Sequence, residues 1–277
     1  MGTSRSSTGS PSGVAMVPPW VPAVDAPGDL GDPAPADTVA QQPPASPAPV
    51  PVAPRGRFSG TRRALGRYAT SGSSHDLQTA VGRYVREGLG GSGTAGRRFG
   101  GSARTAARLY AALSPSISGA PGSSVRLDRD ALNGRTIREV MDAVVQAVRP
   151  GDGTQDGEAS RDAVDRALSE VLKRFPNASL LEPTDVQRAL AIEAYLAFDV
   201  FNRFQLDVGA ALQKAAETVT AWAARIRDVK DYIRQKVAAA FRERYPAGGP
   251  RPTARVLATI ADAALRSAFT VFEDYLQ

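Results

Sequence analysis

The sequence predicts an all-α protein, and three observations carry the prediction. Capping-box pairs, Thr136 with Glu139 and Thr184 with Gln187, stand ahead of apolar residues spaced three and four apart. Apolar residues recur every seven positions across 210–244. Nowhere do apolar and polar residues alternate over the length of a strand. Composition divides the 277 residues into three parts. These are a disordered Pro-rich N-terminal tail (1–54), an Arg/Gly-rich short-helix region with its linker (55–124), and a C-terminal helical bundle with one long heptad-patterned helix (125–277).

The tail carries thirteen prolines, four acids and one arginine. Proline lacks a donor N–H and fixes φ, so runs such as Pro43-Pro44-Ala45-Ser46-Pro47 enter neither a helix interior nor a central strand. Short helices are expected near 60–70, 76–87 and 102–113. Glycine interrupts each of them, at Gly66, Gly72, Gly82 and the cluster Gly88, Gly90, Gly91, Gly93 and Gly96. An interior glycine costs about 1 kcal/mol relative to alanine, so this region reads as marginal alone and ordered by a partner. Residues 114–124 form a linker.

In the second half, Ile137, Val140, Met141, Val144 and Val148 share a helix face, and 150–157 reads as a loop. Ala163, Ala167, Val171 and Phe175 line the next helix; Leu190, Ala194, Ala197, Phe201, Phe204 and Val208 line the one after. The heptad follows, with Leu212, Val219, Ile226, Ile233 and Ala240 in one seam and Ala215, Trp222 and Val229 in its companion. It predicts one helix of about 35 residues, roughly 50 Å long. Either packing within the chain or a coiled-coil dimer would use that seam. Tyr245 and Pro246 end it, and a last helix carries Leu257, Ala261, Ala264, Ala268, Val271 and Tyr275.

Cysteine is absent, which excludes disulfides and thiolate chemistry and fits a reducing, cytoplasmic setting. There is no apolar leader and no run of eighteen apolar residues, so neither secretion nor membrane insertion is expected. His75 is the single histidine, and adjacency to Asp76 is not triad geometry; the pair reads as a polar helix start. Asp228 and Asp231 read as solvated charges paired with Arg227, Lys230 or Arg234. Gly88, Gly90 and Gly93 match G-x-G-x-x-G, but a helix precedes them and no ribose-binding acid follows at the required distance. No catalytic residue, metal site or cofactor is expected.

The charge distribution is more informative. Between Arg55 and Arg108 stand eleven arginines and no lysine, against two acids, Asp76 and Glu87. That excess is larger than the net +6 of the whole chain. The guanidinium fork grips carboxylates and phosphates bidentately. Arg62, Arg63 and Arg67 form one cluster; Arg97, Arg98, Arg104 and Arg108 form another. Phe58, Tyr68, Tyr84, Phe99 and Tyr110 are interleaved. The block suits nucleic-acid backbone with occasional stacking, an acidic protein groove, or a solvated helix face whose aromatics pack inward. At the start, Met1 before the small Gly2 is readily removed, leaving a glycine amine on a long tether.

Met1-Gly2-Thr3-Ser4, the Val17-Pro18-Pro19-Trp20 of the tail, RFSGTRRALGRYATSG from Arg57 and GRYVREGLGGSGTAGRRFGGSARTAARLYAAL from Gly82 resemble the QatB family of the Qat anti-phage system. The resemblance covers most of the chain and is general in the C-terminal helices. It implies a non-enzymatic defence subunit with three kinds of partner: a QueC-like enzyme (QatC-type), a P-loop ATPase (QatA-type) and a TatD-like nuclease (QatD-type). It further implies an adaptor that is itself a substrate, modified at Gly2 by a 7-deazaguanine-like group. The alternative is a nucleic-acid-binding subunit that recruits the nuclease to phage DNA through the Arg/Gly-rich segment.

Overall fold

Apart from one isolated β-bridge, helical turns make every regular element among the described residues, which are 13–17, 52–114, 125, 127–246 and 251–276 of this computed structural model. Helices α1 (Ser59–Ser71) and α2 (Ser74–Arg83) pack together, and α2 continues into a π-helical turn, Tyr84–Gly88. The short α3 (Ser92–Arg98) leads to α4 (Gly100–Ala112). Then come α5 (Arg129–Leu132), α6 (Ile137–Val148) and α7 (Gln155–Arg174). Helix α8 (Asp185–Phe204) passes through a second π turn, Gln205–Gly209, into α9 (Ala210–Ala215). The last two helices are α10 (Val219–Arg244) and α11 (Ala254–Asp274).

Both capping boxes form. The Thr136 and Thr184 hydroxyls accept from the N–H groups of Glu139 and Gln187, whose side chains accept in return from the threonine N–H at 2.8 Å. Helix α8 is the central element, buried without interruption from Ala191 to Phe204. It packs on α7, α10 and α4, while α11 closes over α3, α4 and α10. A helix buried all round belongs to the core rather than to an amphipathic surface.

The Arg/Gly-rich segment shares that core. Phe58, Tyr68, Tyr84, Phe99 and Tyr110 are all buried, in one cluster with Phe204, Phe241 and Phe269. What orders the segment here is the C-terminal half of its own chain. Two arginines tie the end of α4 to the start of α8: Arg129 donates to the carbonyls of Ala112 and Leu181, and Arg188 to those of Leu113 and Pro183. Glycine acts as a spacer as well as an interruption. A Cβ on Gly82 would lie 2.7 Å from the carbonyl oxygen of Phe272, so its absence lets α2 approach the α11 backbone.

Four expectations are corrected. The single helix across 210–244 is broken, since Ala216 is extended and Thr218 caps a new helix by accepting from the Ala221 N–H. Val219, placed in the heptad seam, is consequently 79% exposed. Below the break, Val229, Ile233, Val237 and Phe241 are buried within this chain, so the seam is used for internal packing. Ile137 stands at the first turn of α6 and is exposed, as is Val271 on α11. The 150–157 loop is shorter than expected, because Thr154 accepts from the Gly157 N–H and starts α7 at Gln155. Arg234 pairs with Glu170 rather than Asp231, and Asp228 accepts from the Tyr68 hydroxyl at 3.0 Å.

The tail also departs from expectation where it is described. Ala15 bridges Val52 in antiparallel fashion, Gly13 N–H donates to the Ala53 carbonyl at 3.0 Å, and Ala53 N–H returns a bond to Val14 at 2.8 Å. Val14-Ala15-Met16-Val17 is an apolar stretch without proline, so it keeps the donors and side chains needed to dock. Met16 is 3% exposed. Its Sδ lies against Gly90, where φ is +79° and a Cβ would come within 2.8 Å of the sulfur. The remainder of 1–54, including Gly2 and Trp20, lies outside the described residues, as does most of the 114–124 linker.

Candidate functional site

The two π turns face each other through their polar side chains. Tyr84 in the first donates its hydroxyl to Asp207 in the second at 2.9 Å, and Arg98 stands 3.8 Å from the same carboxylate. Burial pushes the Asp207 carboxyl above its ordinary range, and Arg98 only partly opposes this. Tyr84 is pushed up too, first by burial and then by Asp207. The sign for stability follows. As pH rises through the ordinary aspartate pKa, the unfolded chain releases this proton while the folded chain still holds it, so stability falls. Asp207→Asn removes that slope. Relative to the parent, the variant gains stability as pH rises above the ordinary aspartate range, about pH 4, in urea titrations. A difference independent of pH contradicts the assignment.

A second buried ionic group sits one turn away, on α8. Asp199 is fully buried and accepts from the Ser102 hydroxyl of α4, and Arg203 Nε lies 3.3 Å from it. Arg203 also donates to Asp156, at the start of α7, at 3.1 Å, and its guanidinium stacks 4.8 Å from the centre of the Phe99 ring. Burial works against the charge on Arg203, but Asp199 and Asp156 outweigh it and raise its pKa above the ordinary value.

Arg203 opens onto a cavity of about 270 Å³. Arg104, Thr105 and Arg108 of α4, Arg149 just past α6, and Ser160 of α7 line it with Arg203, and no carboxylate does. Asp152 holds Arg149 at 2.6 Å, and the Ser160 and Tyr195 hydroxyls are 2.9 Å apart. The arrangement attracts anions; it brings no general base to a nucleophile.

The seven arginines singled out in the sequence separate into three groups. Arg104 and Arg108 meet at the cavity. Arg67 pairs with Asp76 at 3.5 Å, and Arg98 with Asp207. Arg63 and Arg97 are exposed and Arg62 half-exposed, and none of these three has an ion pair with a described residue. The interleaved aromatics are buried, so stacking on bases is not available to them. His75 donates its backbone N–H to the capping Ser73 hydroxyl, and Asp76 accepts from Ser71, as a helix start requires. Gly90 of the G-x-G-x-x-G match faces Met16. Arg149, Ser160, Asp199 and Arg203 were not singled out from the sequence. The available signal was Asp199, Asn202 and Arg203 set into the apolar run of α8, a place where polar groups must be paired.

Among the described residues no group of His, Asp or Glu has metal-site geometry, and no helix is long and apolar enough to cross a membrane. Fold and site together define an all-α, arginine-rich protein with a cationic cavity between α4, α7 and α8. Residues 90–272, more than half of the chain, match the family described as Qat anti-phage system associated protein QatB. The chain belongs to that family and is a component of Qat anti-phage defence. No curated protein and no solved structure matches it.

Proposed function

We propose that the chain is a non-enzymatic Qat subunit, an adaptor whose N-terminal Gly2 is the substrate of a QueC-like partner. The observation that carries this reading is the docked segment 13–17. Gly2 lies eleven residues before Gly13, a reach of at most about 40 Å of extended chain. A terminus of that length can enter a partner's active site while the folded body serves as the handle. QueC-like enzymes activate a carboxylate with ATP and pass it to an amine; here the Gly2 amine, freed by removal of Met1, attacks the activated carbonyl of a 7-deazaguanine-like group, an amide bond forms as the carbonyl's bond to its activating phosphate breaks, and the phosphate-bearing group and the amine's proton leave. Exposed Arg63 and Arg97, with half-exposed Arg62, offer an acidic partner face bidentate contacts, with the P-loop ATPase and the TatD-like nuclease as further candidates for docking.

The test is peptide mass spectrometry of the chain co-expressed with its QueC-like neighbour. The peptide beginning at Gly2 gains the mass of the acyl group, and Met16→Asp, which places a charge in the anchor, lowers the modified fraction. An N-terminal peptide of unaltered mass, from chain purified with an active partner, overturns the proposal.

A further inference from the structure

We propose that the cavity between α4 and α8 binds a phosphate-class oxyanion, either free diphosphate or the phosphoryl tail of a small nucleotide. The ligand is held by Arg104, Arg108, Arg149 and Arg203 with the Thr105 and Ser160 hydroxyls. This inference is independent of the proposal for Gly2.

Four guanidiniums come to one cavity from three separate parts of the chain. Like charges gathered around one cavity repel one another, more strongly near a protein surface than in water. A lining of this kind is therefore a cost that apolar residues would avoid, and an oxyanion turns the cost into binding. The guanidiniums are also held for the task. Asp152 fixes Arg149, and Asp156 with Asp199 fixes Arg203 from within the protein, while the lining itself presents cations and hydroxyls.

Donor capacity remains unused. Arg203 is nine-tenths buried, yet its Nε lacks hydrogen-bond geometry toward Asp199, and the buried Arg149 Nε has no hydrogen-bond partner either. Arg108, half-buried on the cavity wall, makes no side-chain hydrogen bond or ion pair with a described residue. Buried donors of this type are normally satisfied, and a ligand with several acceptor oxygens satisfies them.

Size sets the ligand class. At about 270 Å³ the cavity is smaller than the roughly 300–1,000 Å³ of sites that enclose a drug-sized molecule. It has the volume of roughly nine waters at about 30 Å³ each. Phosphoryl groups fit, and an attached nucleoside has to project through the mouth. A nucleic-acid backbone is tracked along a basic groove several nucleotides long, more than a cavity of about 270 Å³ spans.

Isothermal titration calorimetry of the full chain at low ionic strength, with sodium pyrophosphate and with ADP, tests the proposal. The parent protein binds both. Arg104→Ala/Arg108→Ala weakens binding tenfold or more, and Arg227→Ala/Arg255→Ala, exposed and outside the cavity, leaves it unchanged. Equal affinity for the two probes assigns the site to the free oxyanion; tenfold tighter ADP assigns it to a nucleotide. Should the α4 double variant fail to fold, Arg108→Lys decides, because it keeps the charge and removes the fork; its affinity falls at least severalfold. Three results overturn the proposal: no binding of either probe at millimolar concentration, undiminished binding by the α4 variants, or equal weakening by the Arg227/Arg255 variant.

Discussion

Replacing Gly82 with alanine destabilises the fold by about 2 kcal/mol, although alanine is the better helix former by about 1 kcal/mol. Propensity alone gives the opposite sign, so the experiment separates two accounts of the same residue. The added methyl would meet the Phe272 carbonyl oxygen at 2.7 Å and the Leu276 side chain at 2.9 Å. A backbone carbonyl of α11 cannot swing aside as a side chain does, so α2 and α11 must separate, and the packing between them loosens along its length. Gly66 supplies the control. It lies inside α1 with nothing within 4 Å of its Cβ position, and Gly66→Ala therefore stabilises by about 0.5–1 kcal/mol. Urea titrations at constant m-value read both differences. A Gly82→Ala protein more stable than its parent would show that the contact between α2 and α11 is slack.

The second large effect is expected at Asp199. Asp199→Ala costs about 3–5 kcal/mol, because breaking a buried ion pair leaves the partner charge without compensation. Here the partner is Arg203, itself buried and left with Asp156 alone. Ser102 loses its acceptor at the same time, which detaches α4 from the middle of α8. Adding Arg203→Met to Asp199→Ala restores part of the loss, since an apolar side chain of similar length needs no counter-charge. An Asp199→Ala protein within 1 kcal/mol of the parent would mean that water or a rearranged guanidinium already satisfies the site.

These two residues also show what a reader of the chain could see. Helix starts were legible because caps are local: Thr136 and Thr184 sit in fixed relation to Glu139 and Gln187, and the structure uses both. The break at Ala216 was not legible, because its heptad neighbours satisfy a helix on either side and only the Thr218 cap decides against it. Gly82 read as a weakness because its use depends on Phe272, far along the sequence. The candidate site divides in the same way. Arg104 and Arg108 stood out within a local charge excess, whereas Arg149 and Arg203 are isolated in sequence and join them only through the packing of α4, α7 and α8. The tail read as uniform because proline dominates its composition, and the short apolar run at Met16 counts only once Gly90 leaves room for its sulfur.

The pairing of Ala15 with Val52 has a quantitative consequence for any enzyme that acts on the first residue. It shortens the leash. An amine that cannot lie more than about 40 Å from its fastening is present, to a docked enzyme, at an effective concentration of a few millimolar. Were residue 55 the first fixed point, the permitted radius would be nearly five times greater and the amine about a hundredfold more dilute. For such an enzyme, confinement at this level would do the work of tight recognition, and the first residues would need little sequence of their own to be found.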